Sequence, residues 1–441
     1  MRIFFAALFA SVTSIASGEG VHIHGRFNVN GGNMPPVVVM HNAGEDGNDL
    51  SAVVKDGSFS IHVPVAAPAL YNVRLGRSSY ELMLSPRDKD ISIEVAVKDD
   101  QVADVKVTPD AESEAYKRFY AMMKLNDSKM EKHFRQCEGA GCEQDMHDLL
   151  LDYRDDLNDI RKRYPGTYAA DVLCAMRMPA IATDISHTTA EYRARYFDSV
   201  PITHPSLLAT PVYHDMIVNY IDFMLEGTLN SEEAFIRDLM TRAKADSKVY
   251  NKTALSLFDG LLWHSREKML AMLIRYYDEN EAALNNPVLA AKIHNIRTVM
   301  PGNNYKDIAK PDTGGVVRSL KDIVQRSKCT LLLFWSPGCS HCTEEMPQIQ
   351  TMYEKYHSKG FDIYAYCMDM SPQHWRSYLR EHALPWTNVL AGFPEEGKPT
   401  AGNDYAISST PTLVLIDQKG TILHRVAPKN KLEKYIQEAL K

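Results

Sequence analysis

Between residues 21 and 108, apolar and polar residues alternate singly in short stretches: Val21-His22-Ile23-His24, Ser58-Phe59-Ser60-Ile61-His62-Val63, Tyr71-Asn72-Val73-Arg74-Leu75 and Ile91-Ser92-Ile93-Glu94-Val95-Ala96-Val97. A period of two sends every second side chain to one face of an extended chain, so each stretch predicts a half-buried strand. Pro36 to Met40 adds a β-branched run, and Gly31-Gly32, Gly44 to Asn48, Asp56-Gly57 and Ser85-Pro86-Arg87-Asp88 punctuate the stretches with turn residues. Short strands at this spacing predict a β-sandwich-like domain or small barrel.

Over 109–299 the period lengthens. Met146, Leu150, Tyr153, Leu157, Ile160 and Tyr164 recur at spacings of four and three, one apolar stripe along a helix that Pro165-Gly166 ends. Further helical patterns cover 111–134, 168–182, 205–226, 231–245, 247–275 and 286–298, which predicts a central all-α region. No regular repeat marks a solenoid. The many Tyr and Met residues on these stripes read as core.

From 300 to 441 strands alternate with helices, the pattern of an α/β domain with a mostly parallel sheet. Thr330-Leu331-Leu332-Leu333-Phe334-Trp335 is continuously apolar, as a central strand covered on both faces requires. Ser336-Pro337-Gly338-Cys339-Ser340-His341-Cys342 follows at once, then the helix-forming Thr343-Glu344-Glu345-Met346.

Composition changes this picture little. The apolar fraction of 45% and charged fraction of 24% are those of folded protein, and a net charge of −7 gives nucleic acid or anionic membrane nothing to bind. Met1-Arg2, the apolar run Ile3 to Ala10 and the small residues through Gly18 predict a cleavable secretory signal over 1–18. No later segment is long and apolar enough to span a bilayer, so the mature chain is expected to be soluble, without a transmembrane segment.

Export makes the cysteines matter. Cys137 and Cys142 flank a loop with two glycines that lets the chain fold back, and a structural disulfide is favoured there over a second redox pair or half a zinc site. Cys174 and Cys329 read as core thiols. Cys367, at the end of the predicted strand 361–366, is either a buried structural cysteine, the favoured reading, or a third redox thiol. No metal site is expected: His22 and His24 do not fill a zinc site, and the acidic loop 45–49 lacks calcium-loop spacing.

A strand, then Cys-x-x-Cys, then a helix is informative where the bare motif is not. At a helix N-terminus, unpaired N–H groups and the helix dipole favour a thiolate. Cys339 is therefore the expected nucleophile, and Cys342, one turn deeper, resolves the mixed disulfide. Ser340 and His341, between them, tune the pair; a charged His341 lowers the Cys339 pKa further and makes the disulfide more oxidising.

Trp335-Ser336-Pro337-Gly338-Cys339-Ser340-His341-Cys342 followed by Pro347, with Ile407-Ser408-Ser409-Thr410-Pro411-Thr412 downstream, resembles the thioredoxin superfamily, nearest its TlpA/ResA-like periplasmic branch. The resemblance covers residues 300–441. It implies a thioredoxin-like fold, a cis bond before Pro411, and Glu345 assisting proton transfer at Cys342. It also implies that Trp335, Thr410 and Pro411 line the substrate site, with Thr410 facing the disulfide. No cofactor beyond the redox-active Cys339–Cys342 disulfide is implied. The expected partners are exported proteins with cysteines or disulfides and a membrane or periplasmic thiol electron donor, and the expected location is the periplasm.

In general pattern, 21–108 and 109–299 resemble the β-rich and helical extensions of secreted Bacteroidota proteins. The branch implies the reducing direction, whereas Ser340-His341 leans toward an oxidase or isomerase. A client-binding protein with a secondary redox centre is the competing class. A thiol peroxidase ranks last, because Leu332 stands where its motif has proline.

Overall fold

The computed structural model describes residues 20–31, 34–43, 49–75, 78–98, 101–139, 141–225, 229–264, 266–369, 371–392, 400–407, 409–426 and 431–441. The expected signal segment 1–18 and most of the acidic loop 45–49 lie outside the described residues. The chain forms two compact units, Met1–Met216 and Ile217–Lys441, so the helices of 109–299 are shared between them.

In the first unit, alternation in sequence becomes alternation in burial. Strand β1 (Val21–Asn30) buries Val21, Ile23 and Phe27 and turns His22 and His24 outward. It pairs with β4 (Ser58–Val63) and β7 (Asp90–Lys98), and β8 (Gln101–Thr108) completes the sheet in the order β4-β1-β7-β8. The second sheet is β3-β2-β5-β6, from β2 (Val37–Asn42), β3 (Leu50–Val53), β5 (Ala69–Leu75) and β6 (Ser78–Leu84). Val21, Ile23, Ile93 and Val95 from one sheet and Val38, Met40, Val73 and Leu75 from the other share one core, so the two sheets form a sandwich. The β1–β7 pair is parallel, unlike its neighbours.

The periodicity had not marked β3, β6 or β8. In β6 the reason is visible: Leu82, Met83 and Leu84 are all buried, because the strand end runs against the first helix, where Met83 N–H donates to Ser113 Oγ at 3.0 Å.

Helices α1 (Ala111–Gln136) and α2 (Cys142–Arg163) pack together, and a disulfide joins Cys137 to Cys142 in the turn between them. The expected stripe is the buried face of α2, from Met146 to Ile160. Arg177 is buried among Asp127, Tyr153 and Tyr196, all hydrogen-bonded to its guanidinium. The expected helix 168–182 is instead a π-helical turn (Ala169–Leu173) and the short α3 (Cys174–Met176). Helix α4 (Thr188–Arg195) follows, and α5 (Val212–Asn219) lies where the chain passes between the units.

The second unit opens with α6 (Leu229–Ala243), α7 (Ser247–Trp263), α8 (Glu267–Leu284) and α9 (Pro287–Thr298). The continuous helix expected over 247–275 breaks after Trp263, and its halves fold back so that their apolar faces, including Leu257 and Leu261 on α7 and Leu270 and Leu273 on α8, are both buried.

After β9 (Ala309–Pro311), β10 (Val317–Ser319) and α10 (Leu320–Arg326) comes a five-stranded sheet. Its strands are β11 (Cys329–Trp335), β12 (Phe361–Cys367), β13 (Thr387–Leu390), β14 (Thr412–Asp417) and β15 (Ile422–Val426), in the order β13-β12-β11-β14-β15. Every residue of β11 is buried, as its unbroken apolar run requires. Helices α11 (Ser340–Tyr356), α12 (Pro372–His382), α13 (Ala401–Asp404) and α14 (Leu432–Ala439) complete the unit.

The sheet is mixed rather than mostly parallel. Strands β11, β12 and β13 run parallel, but β14 runs antiparallel to β11, and the turn at Gln418 to Gly420 returns β15 antiparallel to β14. That reversal matters for the site. Phe334 is paired with Thr412, so the residues just before β14 lie beyond the end of β11, where the Cys-x-x-Cys segment begins.

Candidate active site

The cysteine pair sits at the junction of β11 and α11. Ser336 turns the chain: its Oγ accepts from Gly338 N–H and its carbonyl from Cys339 N–H, both at 3.2 Å. Cys339 is the N-cap of α11, in extended backbone, and its Sγ accepts from the Cys342 N–H at 3.4 Å. A sulfur thus takes the place usually held by a Ser or Asp oxygen, facing the unpaired amides of the first turn.

Environment separates the two thiols. Burial pushes Cys339 up, but hydrogen bonds from the Cys342 thiol, the Thr410 side chain and the N–H groups of Cys342 and His341 outweigh it and hold Cys339 below the usual cysteine range. Cys342 is only 1% exposed; burial, and then the Cys339 sulfur, push its pKa up to about 12. Both thiols are free. One group is thus set up to ionise at the surface and the other to keep its proton beneath it.

The other expected residues fall into distinct places. The Thr410 carbonyl accepts from Cys339 Sγ at 3.2 Å, and the Thr410–Pro411 bond is cis. Ser340 and His341 are exposed on the first turn of α11. Glu345, 5% exposed, is buried on the same helix one turn past Cys342. Trp335, expected at the substrate surface, is fully buried, with the Tyr378 ring against it at 5.2 Å. It supports the site from beneath, because β11 is covered on both faces to its last residue. Cys367, paired in register with Trp335, is fully buried with its thiol pushed up to about 12 by burial. Burial likewise pushes Cys174 and Cys329 up to about 12.

Two residues at this end of the sheet had carried no signal of their own in the sequence. Asp369 lies just past β12, and its Oδ2 is 2.8 Å from His374 Nδ1 on α12. A β-carbon built on Gly338 would stand 3.7 Å from His374 Cε1, so the imidazole lies against the residue that precedes Cys339. The Ser371-Pro372 helix start was a legible signal for α12, but not for what α12 faces.

A thioredoxin-like family model matches residues 327–422. The thiol-disulfide oxidoreductase ResA of Bacillus cereus is 27% identical over 140 residues, which are 31% of this chain and 77% of that one. ResA of Geobacillus thermodenitrificans is 26% identical over 141 residues, 32% of this chain and 77% of its own. Among solved structures, the thioredoxin domain of a thiol-disulfide oxidoreductase from Bacteroides vulgatus is 26% identical, covering 32% of this chain and 98% of that one, with a TM-score of 0.30. A thioredoxin-like protein from Bacteroides caccae is 18% identical, covering 59% of this chain and 97% of that one, with a TM-score of 0.38.

Proposed function

We propose, from the premise that the C-terminal domain is a thioredoxin-superfamily domain of the TlpA/ResA-like kind, that this chain is an exported thiol–disulfide oxidoreductase acting on protein cysteines in the periplasm. The observation that carries the reading is the split between the two thiols: Cys339 held low at a helix N-cap and Cys342 pushed up to about 12 below it.

The Cys339 thiolate attacks a disulfide of the client, and the client's second sulfur leaves with the electron pair of the broken bond. Cys342 then loses its proton and attacks Cys339 Sγ, which releases the client reduced and leaves the Cys339–Cys342 disulfide. Because Cys342 holds its proton so firmly, the second step needs a nearby base. Glu345, one turn further along α11, is the residue assigned that role. Thr410 borders the sulfur, followed by Pro411 across the cis bond, where an extended client segment can pair with this backbone. A thiol donor in the membrane or periplasm returns the pair to its reduced form.

The reducing direction rests on the resemblance to the TlpA/ResA-like branch. A potential near about −270 mV supports it, and one near about −120 mV makes the protein an oxidant instead. Cys342→Ala is expected to trap clients as mixed disulfides on Cys339. If this variant traps nothing where the wild type exchanges disulfides, the assignment of the nucleophile fails.

A further inference from the structure

We propose that His374, oriented by Asp369, protonates the client sulfur that leaves when Cys339 attacks. The inference rests on the reading of Cys339 as the nucleophile and adds a residue from a different element of the sheet.

The pair is built rather than incidental. Asp369 Oδ1 accepts from Ser371 N–H at 2.7 Å, which leaves Oδ2 for His374 Nδ1 at 2.8 Å. Ser371 Oγ in turn accepts from the His374 N–H at 3.2 Å, as the N-cap of α12. Both carboxylate oxygens are therefore engaged, and the Asp369 side chain is only 15% exposed whereas that of His374 is 52% exposed. An ionised carboxylate accepts hydrogen bonds and donates none, so the proton on Nδ1 belongs to the imidazole. That leaves Nε2 as the nitrogen that exchanges protons. Nε2 is bonded to Cε1, the atom that lies against Gly338. Gly338 stands immediately before the nucleophile, so this contact puts the imidazole beside the start of the Cys339 turn. A nucleophile, an acid–base imidazole and a carboxylate fixing its far nitrogen form a recurring catalytic arrangement.

The step balances. Cys339 S⁻ forms a bond to one client sulfur, the client S–S bond breaks, and its electron pair goes to the second sulfur. That sulfur takes the proton from His374 Nε2. The proton of Cys342 supplies the second client thiol when the enzyme disulfide closes. One thiolate, one thiol, one imidazolium and the client disulfide become the enzyme disulfide, one neutral imidazole and two client thiols.

The test is the dependence on the leaving group, in single-turnover reactions of the pre-reduced full chain. Oxidised glutathione expels a basic thiolate that needs a proton; dithiobis(nitrobenzoate) expels a stable one that does not. His374→Ala and His374→Gln are expected to slow the reaction with glutathione disulfide by about 100-fold or more, with the aromatic disulfide largely spared. Asp369→Asn is expected to give a smaller loss of the same selectivity, since it acts only through His374.

Wild-type rates on both disulfides in the His374 variants overturn the proposal. Equal slowing on both also overturns it, because that marks a structural role, and so does the same selective loss in His341→Ala. Failure of the wild type to react at Cys339 with either disulfide would instead defeat the functional reading itself.

Discussion

The thiol of Cys339 lies 3.2 Å from the carbonyl oxygen of Thr410, a residue 71 positions further along the chain. Only the protonated sulfur can donate in this contact, so the carbonyl works against ionisation. The Thr410 side chain works the other way and lowers the Cys339 pKa. Thr410→Val keeps the carbonyl and removes the hydroxyl. We expect it to raise the Cys339 pKa and to slow alkylation of that thiol several-fold below its ionisation range. Thiolate ultraviolet absorbance against pH measures the shift; an unchanged or lowered pKa would count against the assigned role of Thr410.

The two thiols of the motif should label at well-separated pH. Cys339 is expected to react with iodoacetamide along a single ionisation below the usual cysteine value of 9.0, while Cys342 stays silent until the pH nears about 12. The same shifts set the alkaline limit of the reduced protein. Cys174, Cys329, Cys342 and Cys367 each ionise near 9.0 when unfolded but only near about 12 when folded. The unfolded chain therefore loses these protons first. Their contribution is fully present below pH 9.0 and is lost as the pH rises from there toward about 12. Denaturant melts across this window should show stability falling, and less steeply in Cys367→Ala.

Arg425 on β15 is a second buried charge with a measurable role. Its guanidinium donates to the carbonyls of Tyr405 at 2.5 Å and Ala406 at 2.9 Å, in the segment that leads to Thr410. Burial lowers its pKa to about 10 against the opposing pull of Glu267, and burial raises Glu267 as well. Desolvation thus outweighs attraction for both partners. Arg425→Met should cost about 3–5 kcal/mol, and adding Glu267→Gln should recover part of the loss. Denaturant midpoints of the full chain test both; equal instability of the single and double variants would remove the coupling.

Removing the Cys137–Cys142 disulfide should be felt in stability and not in chemistry. The cysteines are separated by 5 positions, and closing so short a loop is worth about 2 kcal/mol in the chain-entropy treatment. Cys137→Ser with Cys142→Ser is expected to lower the unfolding free energy by that amount, read from denaturant melts, and to leave disulfide exchange at Cys339 unchanged. Loss of exchange activity in the folded double variant would make the pair a second redox centre.

Much of this protein was legible one segment at a time. The unbroken apolar run of β11, the cysteines on the first turn of α11, and the alternation in β1, β4, β5 and β7 are local patterns, which neighbouring residues suffice to impose. Ends and breaks were less legible. The turn after Trp263 carries no proline, and β6 loses its alternation where α1 covers it, so both depend on what packs against them.

The chemistry of Cys339 and Cys342 belongs to the sequence, because a helix N-terminus and a spacing of three residues are set within one stretch of chain. The neighbours of that pair belong to the tertiary structure. Thr410 reaches Cys339 because β14 runs antiparallel beside β11, and His374, held by Asp369, reaches Gly338 because β12 runs parallel on its other side. Trp335 is denied to substrate by the layers above and below its strand. Strand order and direction follow from how whole elements share one core, and no single segment contains that information.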